Sequence, residues 1–201
     1  IEHFHTPLTN IVFMGMGEPL ANLPNLLPAL DLLISPANLG MGARHVTIST
    51  SGLAPQIEEL AYHPLQFRLA LSLHAASDAI RDKIMPVNKR YPLDRLLEAC
   101  DVFVRAKKKQ IFFEYILLAG INDSPEQATL LAQHARRLFA KVNLIPYNKV
   151  EDLPYERPSE EAIHLFCRTL LKAGVRATIR REKGHDIDAA CGQLRLRQEM
   201  N

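Results

Sequence analysis

Asn10-Ile11-Val12-Phe13-Met14-Gly15-Met16-Gly17-Glu18-Pro19-Leu20 joins an apolar run to two glycines and a carboxylate. Ile11 to Met14 is a short, apolar, β-prone run suited to a buried parallel strand, and Gly15 and Gly17 free the backbone to turn and to come close to a ligand. Glu18 stands at the strand's exit. Taken alone, the pair of glycines reads more readily as a plain strand-to-helix turn than as a ligand loop. A phosphate loop fits poorly, because Glu18 repels phosphate and Pro19 leads into no GxGxxG or GKS/T signature. An acceptor at this point suits an ammonium better.

Reading onward, the same unit recurs. Leu23, Leu26, Leu27, Leu30, Leu33 and Ile34 lie at helical spacing within 22–34, and that helix packs one face on a sheet. A glycine-containing loop over 36–42 leads to a second strand over 45–50, then a short helix over 55–62 and a third strand over 67–73. Ser77 caps a helix running to 84, an irregular loop covers 85–89, and a long amphipathic helix fills 93–106. The fourth strand spans 110–118, Gly120-Ile121-Asn122-Asp123 is a turn, and Ser124-Pro125-Glu126 opens a helix that continues to 139. A fifth strand over 141–146 exits at Tyr147-Asn148; Ser159 starts the last helix, Gly174 ends it, and 175–180 is a final strand.

Strands alternating with helices in this way build parallel βαβ units, which wind in one hand and gather the strand exits on one face. Ligands bind at such a face. The exits carry Gly17-Glu18, Ser49-Thr50-Ser51, Ser72-Leu73-His74 and Asn148, and Asp186 to Leu194 follows the last strand. Each is a weak signal alone, since a serine or asparagine after a strand is usually a cap; together they form a polar ring on an apolar barrel. On the fourth strand, Glu114 or Tyr115 projects into the barrel, and Glu114 is either a ligand contact or the partner of a basic neighbour.

With 201 residues, 47% of them hydrophobic and 23% charged, the chain has the size and composition of one soluble globular domain covering 1–201. The apolar runs are strand-length, short of the roughly 20 residues of a membrane helix, and no signal peptide is visible. Cys100, Cys167 and Cys191 are too scattered for a disulfide framework or a CxxC metal site, and a reducing cytoplasm is the expected compartment. A formal net charge of +2 is too small to establish a nucleic-acid partner. Basic clusters over 105–109 and 176–183 read either as a binding face or as solvated element ends; Asn88-Lys89-Arg90 and His185 read as RNA contacts or, more simply, as solvated loop.

Gly15-Met16-Gly17-Glu18-Pro19, Ser49-Thr50-Ser51-Gly52, Ser72-Leu73-His74, Asn143-Leu144-Ile145-Pro146-Tyr147-Asn148 and Asp186-Ile187-Asp188-Ala189-Ala190-Cys191-Gly192-Gln193-Leu194 resemble, in order and spacing, the RlmN/Cfr family of radical S-adenosylmethionine (SAM) RNA methyltransferases. The resemblance spans nearly the whole chain, and the final nine-residue motif is its most specific part. It implies a SAM-dependent enzyme with a 4Fe-4S cluster, reduced by an electron donor, that methylates adenosine C2 in 23S rRNA and tRNA. By the same resemblance Gly17, Glu18, Ser49, Ser72, Leu73, His74 and Asn148 bind SAM, and Cys191 is the catalytic residue, methylated on sulfur before its carbon passes to the adenine as a radical. Cys100 and Cys167 fall in helices and read as structural.

The fold implied is a partial α/β (βα)6 TIM-like barrel. The family's CxxxCxxC motif, borne on a first strand upstream of the GxGEP strand, has no counterpart here, nor do its general base, its second catalytic cysteine and its N-terminal RNA-binding domain. The chain is therefore expected to be the C-terminal part of such an enzyme, inactive alone, with an open edge on its first strand. Within the family, methylation at adenine C8 is the rival activity; the C8 enzymes resemble GMGEA and Thr-Ile-Gly where this chain has Pro19 and Thr50-Ser51-Gly52. A non-catalytic RNA-binding relative would need Arg176, Arg180, Arg181 and Lys183 to face phosphates, and Glu18, Asn148 and Cys191 together argue against it. An aldolase-like barrel would need a Schiff-base lysine at a strand exit, and neither Lys141 nor Lys149 is so placed.

Overall fold

The structure, a computed structural model, describes residues 8–15, 17–150 and 153–180. Among the described residues six strands, β1 (Ile11–Phe13), β2 (Val46–Thr50), β3 (Arg68–Ser72), β4 (Phe112–Leu117), β5 (Lys141–Pro146) and β6 (Ala177–Ile179), form one sheet in sequence order. Every neighbouring pair is parallel. Between them run α1 (Leu23–Ile34), α2 (Ala54–Tyr62), α3 (Asp78–Ile84), α4 (Leu93–Lys107), α5 (Pro125–Arg137) and α6 (Glu160–Lys172). The order never reverses, and right-handed crossovers repeated in one direction place all helices on one side. The sheet is therefore the wall of an open barrel rather than a doubly wound layer.

The two faces of the wall differ in chemistry. Val46 and Ile48 on β2, Leu69 and Leu71 on β3, Phe113, Tyr115 and Leu117 on β4, and Val142 and Leu144 on β5 are fully buried in the core beneath the helices. Residues alternate along a strand, so Thr47, Ser49, Ala70, Ser72, Glu114 and Asn143 occupy the concave face. The helices present the apolar stripes read from their periodicity, such as Leu96, Cys100 and Phe103 on α4 and Ile163, Phe166 and Leu170 on α6. Ser124 and Ser159 cap α5 and α6, accepting from Gln127 N at 3.3 Å and Ala162 N at 3.2 Å.

Several expectations are corrected. The fifth helix stops at Arg137 rather than at 139, because Phe139 turns left-handed with φ 50° and ends 72% exposed. Residues 86–89 form a 3-10 turn in place of an irregular loop. The basic cluster over 105–109 is only partly a solvated face: Lys107 is buried and donates Nζ to the carbonyls of His63 and Leu65, while Lys109 Nζ donates to Gln66 O at 2.6 Å. Both lysines thus tie α4 to the α2–β3 loop. Asn88 is buried and is no RNA contact. Of the two carboxyl and phenol candidates on β4, Glu114 takes the concave face and Tyr115 the helix face, where its hydroxyl donates to Asn122 O at 2.8 Å. Cys100 and Cys167 are buried free thiols, as read, and burial pushes Cys100 up to about 12. Among the described residues no helix is long and apolar enough to cross a membrane.

Candidate functional site

The glycine-glutamate exit of β1 is latched to the exit of β2. Gly17 has φ 86°, a left-handed conformation that a side chain would strain, and open space where a Cβ would stand. Its turn aims Glu18 across the barrel mouth. Ser51 donates both its backbone N–H and its hydroxyl to Glu18 Oε2, each at 2.6 Å, and Oε1 accepts from Leu20 N at 3.0 Å, opening the 3-10 turn Pro19–Asn22. Three of the roughly four acceptor positions of a carboxylate are filled this way. About one remains for a ligand donor.

A buried arginine fixes the exits of β2 and β3. Arg81, on α3, is fully enclosed, with its Nε donating to Leu73 O at 3.0 Å, Nη1 to Asn88 Oδ1 at 2.9 Å, and Nη2 to Ser51 O at 2.6 Å and Ser72 O at 3.4 Å. Asn88 in turn donates Nδ2 to Asp78 Oδ1 at 2.8 Å and Asp82 Oδ1 at 2.7 Å. Burial lowers the guanidinium to about 10, against the pull of Asp78 and Asp82, so it stays charged at neutral pH. The fork spans carbonyls on two strand exits at once, which a lysine ammonium does not do. Gly52 makes room for it: with φ 114°, a Cβ there would lie 3.0 Å from Leu96 and 3.3 Å from Arg81 Nη2.

Ser72-Leu73-His74 is held from the other side by β4. Leu73 N and His74 N both donate to Glu114 O, at 3.1 and 3.3 Å, and His74, with φ 58°, accepts at Nδ1 from Ile116 N at 3.1 Å. That bond leaves the ring proton on Nε2. Asn122, fully buried, donates Nδ2 to His74 O and Ile116 O, both at 2.7 Å, and accepts at Oδ1 from Leu118 N at 2.7 Å. Burial first, then the charge of Arg81, lowers His74 to about 4, so the ring is neutral at pH 7. A depressed histidine stabilises the fold above its unfolded pKa of about 6.5, and that contribution is lost as pH falls from 6.5 to about 4. The drop is about 3 kcal/mol at most. Urea titrations across this range are expected to show a steeper fall for the parent than for His74→Gln, by one proton per molecule.

Ser49 and Ser72 lie on the concave face with no side-chain hydrogen bond among the described residues, and Asn148 stands half-buried two residues beyond β5. The structure thus brings Gly17, Glu18, Ser49, Ser72, Leu73, His74 and Asn148 to one end of the barrel, at the C-terminal ends of its strands. Cys191 and the motif 186–194 lie outside the described residues.

The family model of the radical SAM superfamily matches residues 1–132. The chain belongs to that superfamily. It is 56% identical over 192 residues to a probable dual-specificity RNA methyltransferase RlmN from Akkermansia muciniphila, covering 96% of this chain and 54% of that protein. It is 52% identical over 188 residues to the dual-specificity RNA methyltransferase RlmN of an Anaeromyxobacter species, covering 94% and 50%. A solved radical SAM methyltransferase from Sphaerobacter thermophilus superposes with a TM-score of 0.89 at 45% identity, covering 92% of this chain and 55% of that one. The RlmN-type resemblance and the partial-barrel fold are borne out. The chain spans about half the length of the curated relatives it matches.

Membership in the radical SAM superfamily implies two groups, and the residues fit them differently. SAM fits: the remaining acceptor position of Glu18 matches an ammonium, the open side of Gly17 admits the ligand, and the hydroxyls of Ser49 and Ser72, with no side-chain hydrogen bond among the described residues, lie on the concave face. A 4Fe-4S cluster has no ligand set here, since the sequence holds no CxxxCxxC and the described residues contain no cluster of metal-ligating side chains. Sequence reading passed over Arg81 and Asn122, neither of which carries a local signal beyond being polar in a helix or turn. It also placed Ser51 at the exit without assigning it to Glu18.

Proposed function

We propose that this chain forms the SAM-binding part of a cytoplasmic RNA methyltransferase that acts on adenosine C2 in 23S rRNA and tRNA. The observation that carries the reading is the convergence of Glu18, Ser49, Ser72, His74 and Asn148 at one end of a concave sheet, in a chain more than half identical to proteins named for RNA methylation. Glu18, held by Ser51 and Leu20, accepts from the methionine ammonium. Neutral His74 adds no positive charge beside the sulfonium. Asn148, at the rim, offers an amide donor and acceptor to a nucleobase edge. SAM, held by Glu18 and the strand-exit residues, would supply the methyl group, and Cys191 would carry the transferred carbon to the adenine.

Isothermal titration with S-adenosylhomocysteine tests the first step. Glu18→Gln removes the charge facing the ammonium and is expected to weaken binding about tenfold to a hundredfold, the range of one charge-assisted hydrogen bond. Equal affinity for parent and variant would remove Glu18 from the site.

A further inference from the structure

The concave face carries a polar row that the strand-exit residues leave unexplained. Register pairs Ser72 with Glu114, Glu114 with Asn143 and Asn143 with Thr178, so four polar residues on four consecutive strands stand side by side. Thr178 Oγ1 donates to Asn143 Oδ1 at 2.9 Å, and Asn143 Nδ2 donates to Glu114 Oε1 at 2.8 Å. The relay has a direction and ends on an acceptor. Glu114 is only 7% exposed, and its second oxygen, which has no hydrogen-bond partner among the described residues, is not sealed from solvent. Burial pushes its carboxyl above the ordinary range, against the Asn143 bond and the charge of Arg180.

Such a group is costly where packing alone is needed. One step nearer the exits, the same face carries Ile116 paired with Ile145, an apolar solution at no such cost. Glu114 instead lies next to Ser72, one strand away, on the concave face the SAM reading already uses. The ligand group it meets is a donor, because the row points its donors toward Glu114 and leaves an acceptor facing outward. A phosphate or carboxylate would be repelled. A second cation is disfavoured by Arg180, which already acts on Glu114, and the ammonium has its own partner in Glu18. Neutral hydroxyls remain, and a carboxylate with a neighbouring serine accommodates an adjacent pair of them.

We propose that Glu114, steadied by Asn143 and Thr178, accepts hydrogen bonds from the ribose hydroxyls of an adenosine bound against the concave face. The inference rests on the SAM reading of the same cavity. The ribose belongs either to the SAM nucleoside or to the target adenosine of the RNA.

The test is isothermal titration of the 201-residue chain, Glu114→Gln and Thr178→Val with S-adenosylhomocysteine and its 2′-deoxy and 3′-deoxy analogues. In parallel, an adenosine-containing RNA hairpin is compared with one bearing a single 2′-deoxyadenosine. Thr178 is exposed, so its variant keeps the sheet intact even where Glu114→Gln does not. The parent is expected to prefer S-adenosylhomocysteine over a deoxy analogue about tenfold, as one hydrogen bond to a charged group provides. Glu114→Gln should abolish that preference and Thr178→Val should reduce it. The same pattern confined to the hairpins would assign the ribose to the RNA and also uphold the proposal. A preference that survives in both variants, or a parent that binds S-adenosylhomocysteine yet discriminates in neither the nucleoside series nor the hairpin series, overturns it while leaving the SAM reading standing. No binding of S-adenosylhomocysteine by the parent overturns both.

Discussion

Exchanging Arg81 for methionine lowers the free energy of unfolding by about 3–5 kcal/mol, the range seen when a buried, hydrogen-bonded charge loses its partners. Methionine fills much of the volume but leaves the carbonyls of Ser51 and Leu73 and the amide of Asn88 without the guanidinium, with Leu73 and Asn88 buried. Asp78 and Asp82 then face Asn88 with no compensating cation. Arg81→Lys retains the charge and is expected to recover only part of the loss, because a single ammonium lacks the fork that reaches two strand exits. Urea unfolding followed by circular dichroism measures this; a loss below about 1 kcal/mol would place the exits under the control of some other contact. Since Arg81 sets the positions of Ser51 and Ser72, both variants should also weaken S-adenosylhomocysteine at temperatures where they remain folded.

Asn122→Ala is the second large effect, at roughly 4 kcal/mol. The side chain serves three backbone groups, the N–H of Leu118 and the carbonyls of His74 and Ile116, and an unsatisfied buried group costs about 1–3 kcal/mol. Part of the cost is offset where a water enters the space left by the amide. Loss of the His74 contact also frees a residue held at φ 58°, a conformation that needs such support. Thermal unfolding of the variant should show the loss, and an imidazole that titrates closer to its ordinary value in proton NMR would show that the loop had opened. A variant as stable as the parent, with His74 still low, would refute the role of Asn122.

The barrel was legible because its signals are local and repeated. Apolar runs of strand length alternate with helical leucine stripes, and Ser124, Ser159 and Gly174 punctuate the helices where the sequence places them. The strand exits were legible for the same reason, since each breaks an apolar run with a polar or glycine residue. Arg81 was not, because its partners lie 7 to 30 residues away on different elements and only the register brings them together. The facing of Glu114 was half legible: Phe112–Leu117 is apolar on both sides of the glutamate, as expected of a strand covered on both faces, so the run itself does not say which residues point inward. The left-handed turn at Phe139 was illegible too, since glycine or asparagine is the usual residue for that conformation.

The C-terminal ends of the strands, latched by Glu18 and Arg81, are proposed to form a SAM site. Amide chemical-shift mapping of the chain during titration with S-adenosylhomocysteine tests it directly. The largest shifts are expected at Gly17, Ser49, Ser72, His74 and Asn148, all at one end of the barrel. Shifts gathered instead around the 710 Å³ cavity lined by Gln110, Arg136, Phe139 and Arg176, at the opposite ends of the strands, would contradict it.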